Sequence, residues 1–181
     1  MAIKIIALTG SLRQGSLNRL LAENNVRLAP AGMEIEHFLL NGLPNFDQDL
    51  EGIEEAPAIV QELRAKVAAA DGVLLITPEY NYSYSSVIKS ALDWGSRPYG
   101  HSVWTNKPIA IQSASMGIFG GVRAQGHLRQ VLGFFPAQQV YKPEVYLGSA
   151  HEKFDAEGNL TDEFAVDLIK KQLDALAKLI G

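Results

Sequence analysis

The feature that most constrains the fold is an alternation of short apolar runs with longer segments of helical period. Short runs rich in Ile, Val and Leu are typical of strands buried on both faces, and helical segments between them are typical of βαβ units. The pattern predicts an α/β fold with a parallel sheet between two layers of helices. The 181 residues suffice for one domain of this kind, and we expect residues 1–181 to form it.

Five strands and five helices can be placed along the chain. The predicted strands are Ile3 to Leu8, Glu34 to Leu39, Gly72 to Thr77, Pro108 to Ala114 and a fifth within Ala137 to Leu147. The predicted helices are Leu17 to Leu28, Pro57 to Ala70, Val87 to Trp94, Val122 to Leu132 and a final helix that reaches Ile180. This arrangement favours a flavodoxin-like three-layer α/β/α sandwich with strand order 2-1-3-4-5, although periodicity leaves other doubly wound orders open.

Composition and charge narrow the classes of function. Sixteen Lys and Arg against twenty Asp and Glu give a net charge of −4, so we expect neither nucleic acid nor a membrane surface as a partner. There is no cysteine, and the four histidines lack metal-ligand spacing, so no metal is predicted. Redox chemistry would therefore need a bound cofactor. The first apolar run is too short for a signal peptide or a membrane span, and we expect a cytoplasmic protein.

The loop after the first strand has the character of an anion site. It leads directly into a helix, whose N-terminus offers free N–H groups and a partial positive charge. Further donors suited to a terminal phosphate come from Ser11, Arg13, Ser16 and Asn18. The alternative is a helix merely capped by Ser16 beside a solvated Arg13.

The glycines of this loop match neither common nucleotide-binding motif. Gly10 and Gly15 have P-loop spacing, but Ser16-Leu17 stands where a P-loop carries Lys followed by Ser or Thr. The loop does not follow the pattern G-x-G-x-x-G either. The sequence therefore excludes a P-loop ATPase or GTPase and disfavours a pyrophosphate-binding turn.

Two further loops should meet the first, because the carboxyl ends of parallel strands lie at one edge of a sheet. The loop Thr77 to Ser86 carries three tyrosines and an asparagine, which suit a flat heteroaromatic ligand. The loop Ser113 to Gly121 is rich in glycine, which lets the backbone approach a ligand closely. Each loop taken alone is also compatible with an ordinary surface turn, but three convergent loops predict a binding site.

The three loops carry motifs in a fixed order. These are Gly10-Ser11-Leu12-Arg13 with Ser16 and Asn18, then Thr77-Pro78-Glu79-Tyr80-Asn81 with Lys89 and Asp93-Trp94, then Ser115-x-Gly117-x-x-Gly120-Gly121-x-Arg123-Ala124. The set resembles the NADPH-dependent FMN reductase family, which includes quinone, azo and chromate reductases. The resemblance implies a flavodoxin-like fold, bound FMN, NADPH or NADH as electron donor, and a homodimer or homotetramer with the flavin near the subunit interface.

The resemblance also implies roles for individual residues. Those that would hold the FMN phosphate are Ser11, Arg13, Ser16, Leu17 and Asn18. Those that would contact the isoalloxazine ring are Pro78, Glu79, Tyr80, Asn81 and Tyr82, with Ser115 and Gly117 near its pyrimidine end. We nominate no side chain as an acid–base catalyst, because the flavin carries the chemistry. Lys89 and Arg123 match motif positions, and we expect their roles to be structural or related to an interface.

The activity implied is hydride transfer from NAD(P)H through FMN to a small-molecule acceptor, in a ping-pong order. Quinones, azo compounds, chromate or other metal oxyanions and free flavin are the expected acceptors. The alternatives are a flavodoxin-like electron carrier for a protein partner and an FMN-binding sensor without turnover. A phosphoacceptor signalling domain is excluded, because Leu8-Thr9 and Thr77-Pro78-Glu79 do not form its acidic pocket.

The sequence supports separate predictions for a turn near the proposed flavin and for a further pocket. Ser85-Ser86 stands where the family commonly has Pro-Gly, and Ser90 where it has Asn, so we expect a looser turn beneath the flavin and weaker cofactor binding. The segment Gly95 to Trp104 combines aromatic rings with a cation, which suits a nicotinamide or quinone pocket. A packed surface loop is the alternative for this second segment.

Overall fold

The computed structural model describes residues 2–181 and confirms the predicted α/β sandwich. The strands are β1 (Ile3–Thr9), β2 (Met33–Leu39), β3 (Gly72–Ile76), β4 (Pro108–Ala114), β5 (Gln138–Gln139) and β6 (Val145–Leu147). The helices are α1 (Leu17–Leu28), α2 (Ala58–Ala69), α3 (Ser86–Gly95), α4 (Val122–Leu132) and α5 (Glu163–Ile180). The sheet has the order β2-β1-β3-β4-β5 with parallel pairing throughout, and β6 also pairs with β4.

Two hydrophobic cores lie on opposite faces of the sheet. Alternate residues of β1 supply both, because side chains of a strand point to opposite faces in turn. Ile5 and Ala7 pack with α1 and α5, whereas Ile6 and Leu8 pack with α2, α3 and α4. Every residue of β3 is buried, as expected for a central strand covered on both sides. This layering leaves the loops at the carboxyl edge free to form a site.

The fifth strand differs from the prediction, because it consists of two short strands. β5 pairs with the start of β4 and β6 pairs with its end. Pro143 lies between them and has no N–H to donate to a ladder. The buried side chain of Gln172 on α5 occupies the gap, where its Nε2 donates to the carbonyls of Ile111 (3.2 Å) and Pro143 (2.8 Å). A side-chain amide thus satisfies backbone groups that a continuous strand would have paired.

Replacing Gln172 with Leu tests this role. The substitution keeps most of the side-chain volume but leaves two buried carbonyls without this donor. It also removes Gln172 Oε1, which is buried without a partner among the described residues, so we expect a net fall in the free energy of unfolding of about 1 kcal/mol. Urea unfolding followed by circular dichroism measures the change. The control is Gln130→Leu on the exposed side of α4, which should change stability by less than about 0.5 kcal/mol. Similar losses in both variants would contradict a special role for Gln172.

Two serines begin helices at the carboxyl edge in different ways. The Ser16 hydroxyl accepts a hydrogen bond from the N–H of Asn18 (3.2 Å) and so caps α1. Ser85 precedes α3 with an extended backbone, but its buried hydroxyl has no hydrogen-bond partner among the residues that the structure describes. It lies against Gly10, where an added Cβ would clash with Ser85 Oγ. The close approach of the two loops therefore requires glycine at this position.

The contrast between these serines predicts opposite effects of alanine on stability. Ser16→Ala removes a working cap and should lower the free energy of unfolding by about 1 kcal/mol. Ser85→Ala removes an unpaired buried hydroxyl and should raise it by up to about 1 kcal/mol. Thermal and urea unfolding measure both. A loss of stability in Ser85→Ala comparable to that in Ser16→Ala would mean that Ser85 caps α3 after all.

Candidate functional site

A groove of about 170 Å³ lies where the carboxyl ends of β1, β3 and β4 meet. Nine of the twelve residues singled out in the sequence line it: Ser11, Arg13, Ser16, Leu17, Asn18, Pro78, Glu79, Tyr80 and Ser115. Ala114 and Met116 complete the lining, and only their place beside Ser115 in the third loop could have pointed to them. Asn81, Tyr82 and Gly117 belong to the same loops but do not line the groove. The structure therefore brings the three loops together.

The first loop presents the N-terminus of α1 to this groove. The first turn of α1 contains no acidic residue, so nothing in it opposes an anion at the positive end of the helix dipole. Ser11 and Ser16 are buried, while Arg13 is exposed at the rim. The chemistry of this set, two hydroxyls and a guanidinium at a helix start, suits a phosphate.

Asn18 connects this loop to the end of β4. Its Nδ2 donates to the carbonyl of Ala114 and its Oδ1 accepts from the N–H of Ala114, both at 2.9 Å. The side chain is buried, so water does not compete for these bonds. Asn18 therefore fixes the spacing between the first and third loops as well as lining the groove.

The second loop contains a tight turn with two exposed tyrosines. Tyr80 and Ser83 exchange backbone hydrogen bonds of 2.8 and 3.0 Å, which enclose Asn81 and Tyr82 at φ angles of 50° and 68°. Both central residues are thus in the left-handed region, as a two-residue turn of this kind requires. The Tyr80 and Tyr82 side chains are 51% and 66% exposed, so flat apolar surface is available at the rim.

Glu79 joins the second loop to the start of α4. Its Oε2 accepts from the N–H groups of Arg123 (3.1 Å) and Ala124 (3.3 Å), and its Oε1 lies 3.5 Å from the Arg123 guanidinium. The residue before α4, Gly121, has a φ of 89° and no side chain to cap the helix. The Glu79 carboxylate supplies that cap from another loop and neutralises the positive end of α4.

The third loop is held by the segment that follows β6. The N–H of Ser115 donates to the carbonyl of Leu147 (2.9 Å), and the Ser115 carbonyl accepts from the N–H of Ala150 (2.9 Å). The Gly117 carbonyl accepts from the N–H of Ser149 (3.1 Å). The loop therefore has a fixed backbone although its apolar side chains, Met116, Ile118 and Phe119, are mostly exposed.

The turn at Ser85 is tied to the end of β3. The Ser85 N–H donates to Thr77 Oγ1 (3.3 Å), and this hydroxyl donates in turn to the carbonyl of Pro78 (2.9 Å). The proline of the family motif could not make the first of these bonds, because it has no N–H. Serine thus gives the turn a restraint of its own, while the expected weaker binding of flavin stays a prediction.

His37 lies behind the first loop. Its Nε2 is 2.8 Å from Oγ1 of Thr9, the last residue of β1. Burial lowers the pKa of His37, while Glu23 raises it and Arg19 lowers it further. Burial thus favours the neutral ring, which shares a hydrogen bond with the last residue of β1.

Two kinds of feature are absent from residues 2–181. No group of three or more His, Asp or Glu side chains in this part of the chain is placed to hold a metal ion. None of the helices described above combines the length and the apolar character needed to cross a membrane.

The structure distinguishes the two alternatives for part of the segment Gly95 to Trp104, which was expected to form either a substrate pocket or a packed loop. Trp104 is fully buried in the core beneath α2, α3 and α4, and its Nε1 donates to the carbonyl of Leu92 (2.9 Å). Of the two alternatives for this segment, Trp104 follows the packed loop, because its ring fills the protein interior. Other residues of the segment line a second cavity of about 730 Å³ at the ends of α3 and α4. This cavity also contains Lys89 and Asp93, which form an ion pair of 2.7 Å.

Comparisons with known proteins agree with this geometry. The family model described as NADPH-dependent FMN reductase matches residues 3–152. An NAD(P)H-dependent FMN reductase of Pseudomonas aeruginosa is 45% identical over 174 residues, covering 96% of this chain and 93% of that one. A quinone reductase of Escherichia coli K12 is 39% identical over 180 residues, covering 98% and 95%.

A solved structure is also similar over nearly the whole length. It is the flavoenzyme NAD(P)H:(acceptor) oxidoreductase from Paracoccus denitrificans, with a TM-score of 0.90 and 35% identity over 99% of this chain and 97% of that one. The resemblance inferred from the loop motifs is thereby confirmed. The chain belongs to the NADPH-dependent FMN reductase family of oxidoreductases.

Proposed function

We propose that this enzyme binds FMN in the groove at the carboxyl edge and uses NAD(P)H to reduce a small-molecule acceptor, with quinones as the main class. The observation that carries the proposal is the meeting, in one groove, of a helix start suited to an anion and a turn with exposed aromatic rings. FMN has one anionic end and one flat heteroaromatic end. The start of α1 and the tyrosine turn supply those two chemistries beside one groove.

The phosphate end of the site is assigned to the first loop. The Ser11 and Ser16 hydroxyls and the Arg13 guanidinium can donate to a phosphate, and the positive end of the α1 dipole favours an anion there, although the Asn18 N–H is already bonded to Ser16 Oγ. Asn18 and Leu17 line the same end. Because the bonds from Asn18 to Ala114 hold the start of α1 against β4, these donors are in place before any ligand binds.

The ring end is assigned to the second and third loops. Pro78, Glu79 and Tyr80 border the groove on one side and Ser115 on another, with Asn81, Tyr82 and Gly117 next to them along the chain. Bound FMN supplies hydride acceptance from NAD(P)H and electron delivery to the acceptor. The protein residues orient the ring, offer backbone donors to its polar edge and exclude water from one of its faces. None is assigned a proton-transfer role.

The acceptor is proposed to be a quinone, because the exposed rim is apolar and aromatic. Tyr80, Tyr82, Met116 and Phe119 are each more than half exposed, so they present surface to a flat molecule. Relatives include a quinone reductase of Escherichia coli and a 2-hydroxy-1,4-benzoquinone reductase of a Burkholderia species. Azo compounds, chromate and other metal oxyanions, and free flavin are proposed as secondary acceptors, with donor and acceptor using one site in a ping-pong order.

The proposal also covers the oligomeric state and the cellular location of the enzyme. A homodimer or homotetramer is supported by the cavity at the ends of α3 and α4, where Tyr99 and Phe134 are 91% and 84% exposed. Light scattering from the purified protein measures the number of copies. A cytoplasmic location is proposed because NAD(P)H is supplied there, and cell fractionation tests it.

Arg13→Ala tests the assignment of the phosphate end. Losing a charge-assisted hydrogen bond should weaken FMN binding about tenfold. Binding of riboflavin, which has the same ring but no phosphate, should not change. Flavin fluorescence titration measures both affinities. The matched control is Arg27→Ala at the other end of α1, which should affect neither ligand. An equal loss for FMN and riboflavin, or no loss, would place the phosphate elsewhere.

Anaerobic spectroscopy tests the activity. The protein loaded with FMN should lose its visible flavin absorption on addition of NADPH or NADH and regain it on addition of benzoquinone. Steady-state rates at several quinone concentrations should give parallel double-reciprocal lines. Bound flavin that neither nucleotide reduces would favour the electron carrier or the sensor, and intersecting lines would exclude the ping-pong order. A protein that binds no FMN would overturn the proposed function.

A further inference from the structure

Arg123, in the first turn of α4, contacts both loops at the ring end of the groove. Its guanidinium carbon lies 4.4 Å from the ring centre of Tyr82 and 5.0 Å from that of Phe119. The same guanidinium is 3.5 Å from Glu79 Oε1, while the backbone N–H of Arg123 donates to Glu79 Oε2. One cation therefore connects the tyrosine turn, the glycine-rich loop and the carboxylate that caps α4.

The tyrosine turn needs such support. Tyr82 is bulky and has a φ of 68°, a conformation that non-glycine residues rarely adopt. Such conformations persist only when surrounding contacts hold them. The two backbone bonds between Tyr80 and Ser83 hold the turn from within.

Further support for the turn comes from α4. Besides the stacking of Arg123 on Tyr82, Nδ1 of His127 lies 3.1 Å from the hydroxyl of Ser83. Arg123 and His127 are four residues apart, so they lie on one face of the helix. Side chains on that face of α4 therefore contact the turn and support it.

We propose that Arg123 is a positioning residue that holds the Tyr80 to Ser83 turn in the conformation that receives the flavin ring. The inference rests on the proposed function, since it takes the groove to be the FMN site. Arg123 acts through Tyr82 and Glu79. A planar guanidinium can stack on a ring and pair with a carboxylate at once, which a lysine ammonium does less well. The turn should therefore be most stable with Arg at position 123, less stable with Lys and least stable with an uncharged side chain.

The experiment compares Arg123→Met, which keeps the length of the side chain without its charge, with Arg123→Lys. The first measurement is hydrogen exchange in the flavin-free protein. The Tyr80 and Ser83 amides should exchange about fivefold faster in Arg123→Met and by an intermediate factor in Arg123→Lys. The matched control is Arg129→Met, which removes a guanidinium stacked on Tyr141 from the same helix. It should leave exchange in the turn unchanged.

The second measurement is flavin affinity. Arg123→Met should weaken the binding of FMN and of riboflavin by the same factor, about fivefold, because the substitution affects the ring end of the groove and not the phosphate end. Thermal unfolding reports any general loss of stability. Unchanged exchange in the turn, unchanged affinities, or an equal effect of Arg129→Met would overturn the inference. If the wild-type protein binds neither flavin, the proposed function fails, while the exchange data still decide whether Arg123 holds the turn.

Discussion

The pair of hydrogen bonds between the Asn18 side chain and the backbone of Ala114 is the interaction on which the site depends. It joins residues 96 positions apart, in a buried place, with both amide atoms engaged at 2.9 Å. Since Asn18 is at the start of α1 and Ala114 is at the end of β4, the bonds set the width of the groove between them. The donors of the first loop and the backbone of the third loop are thereby placed relative to one another.

Similar buried amides surround the rest of β4. Asn25 of α1 and Gln112 exchange hydrogen bonds of 2.7 and 3.0 Å, and Gln125 of α4 donates to Ser113 Oγ and to the carbonyl of Val145. Gln172 of α5 bridges the gap between the two short strands. Apolar packing is non-directional, whereas the hydrogen bonds of a buried amide form only in one relative position of helix and strand. These contacts give each helix a defined place over β4.

The sequence predicted the sheet and the composition of the groove because both depend on local patterns. Runs such as Gly72–Ile76 are apolar throughout, and the loops after them carry their chemistry in short motifs. The split fifth strand was not predicted, because Gln138–Gln139 is too short and too polar to show a period. The burial of Trp104 could not be predicted, because the sequence does not show whether an aromatic residue in a loop points inward.

Contacts between distant segments also could not be predicted from the sequence. The Glu79 carboxylate caps α4 from a position 44 residues away, and no local pattern announces this. The same holds for Arg123 and Tyr82, whose stacking depends on the fold of two loops. The motifs identified all three residues as notable, but their partners became evident only in three dimensions.

The cap that Glu79 provides also makes the two helix starts at the groove electrostatically different. Helices α1 and α4 both start at this edge, and each start would attract a negative charge. At α4 that place is already occupied by the Glu79 carboxylate, which also pairs with Arg123, while the first turn of α1 carries no acidic side chain. Of the two helix starts, that of α1 is therefore the one left for an anionic group from outside the chain.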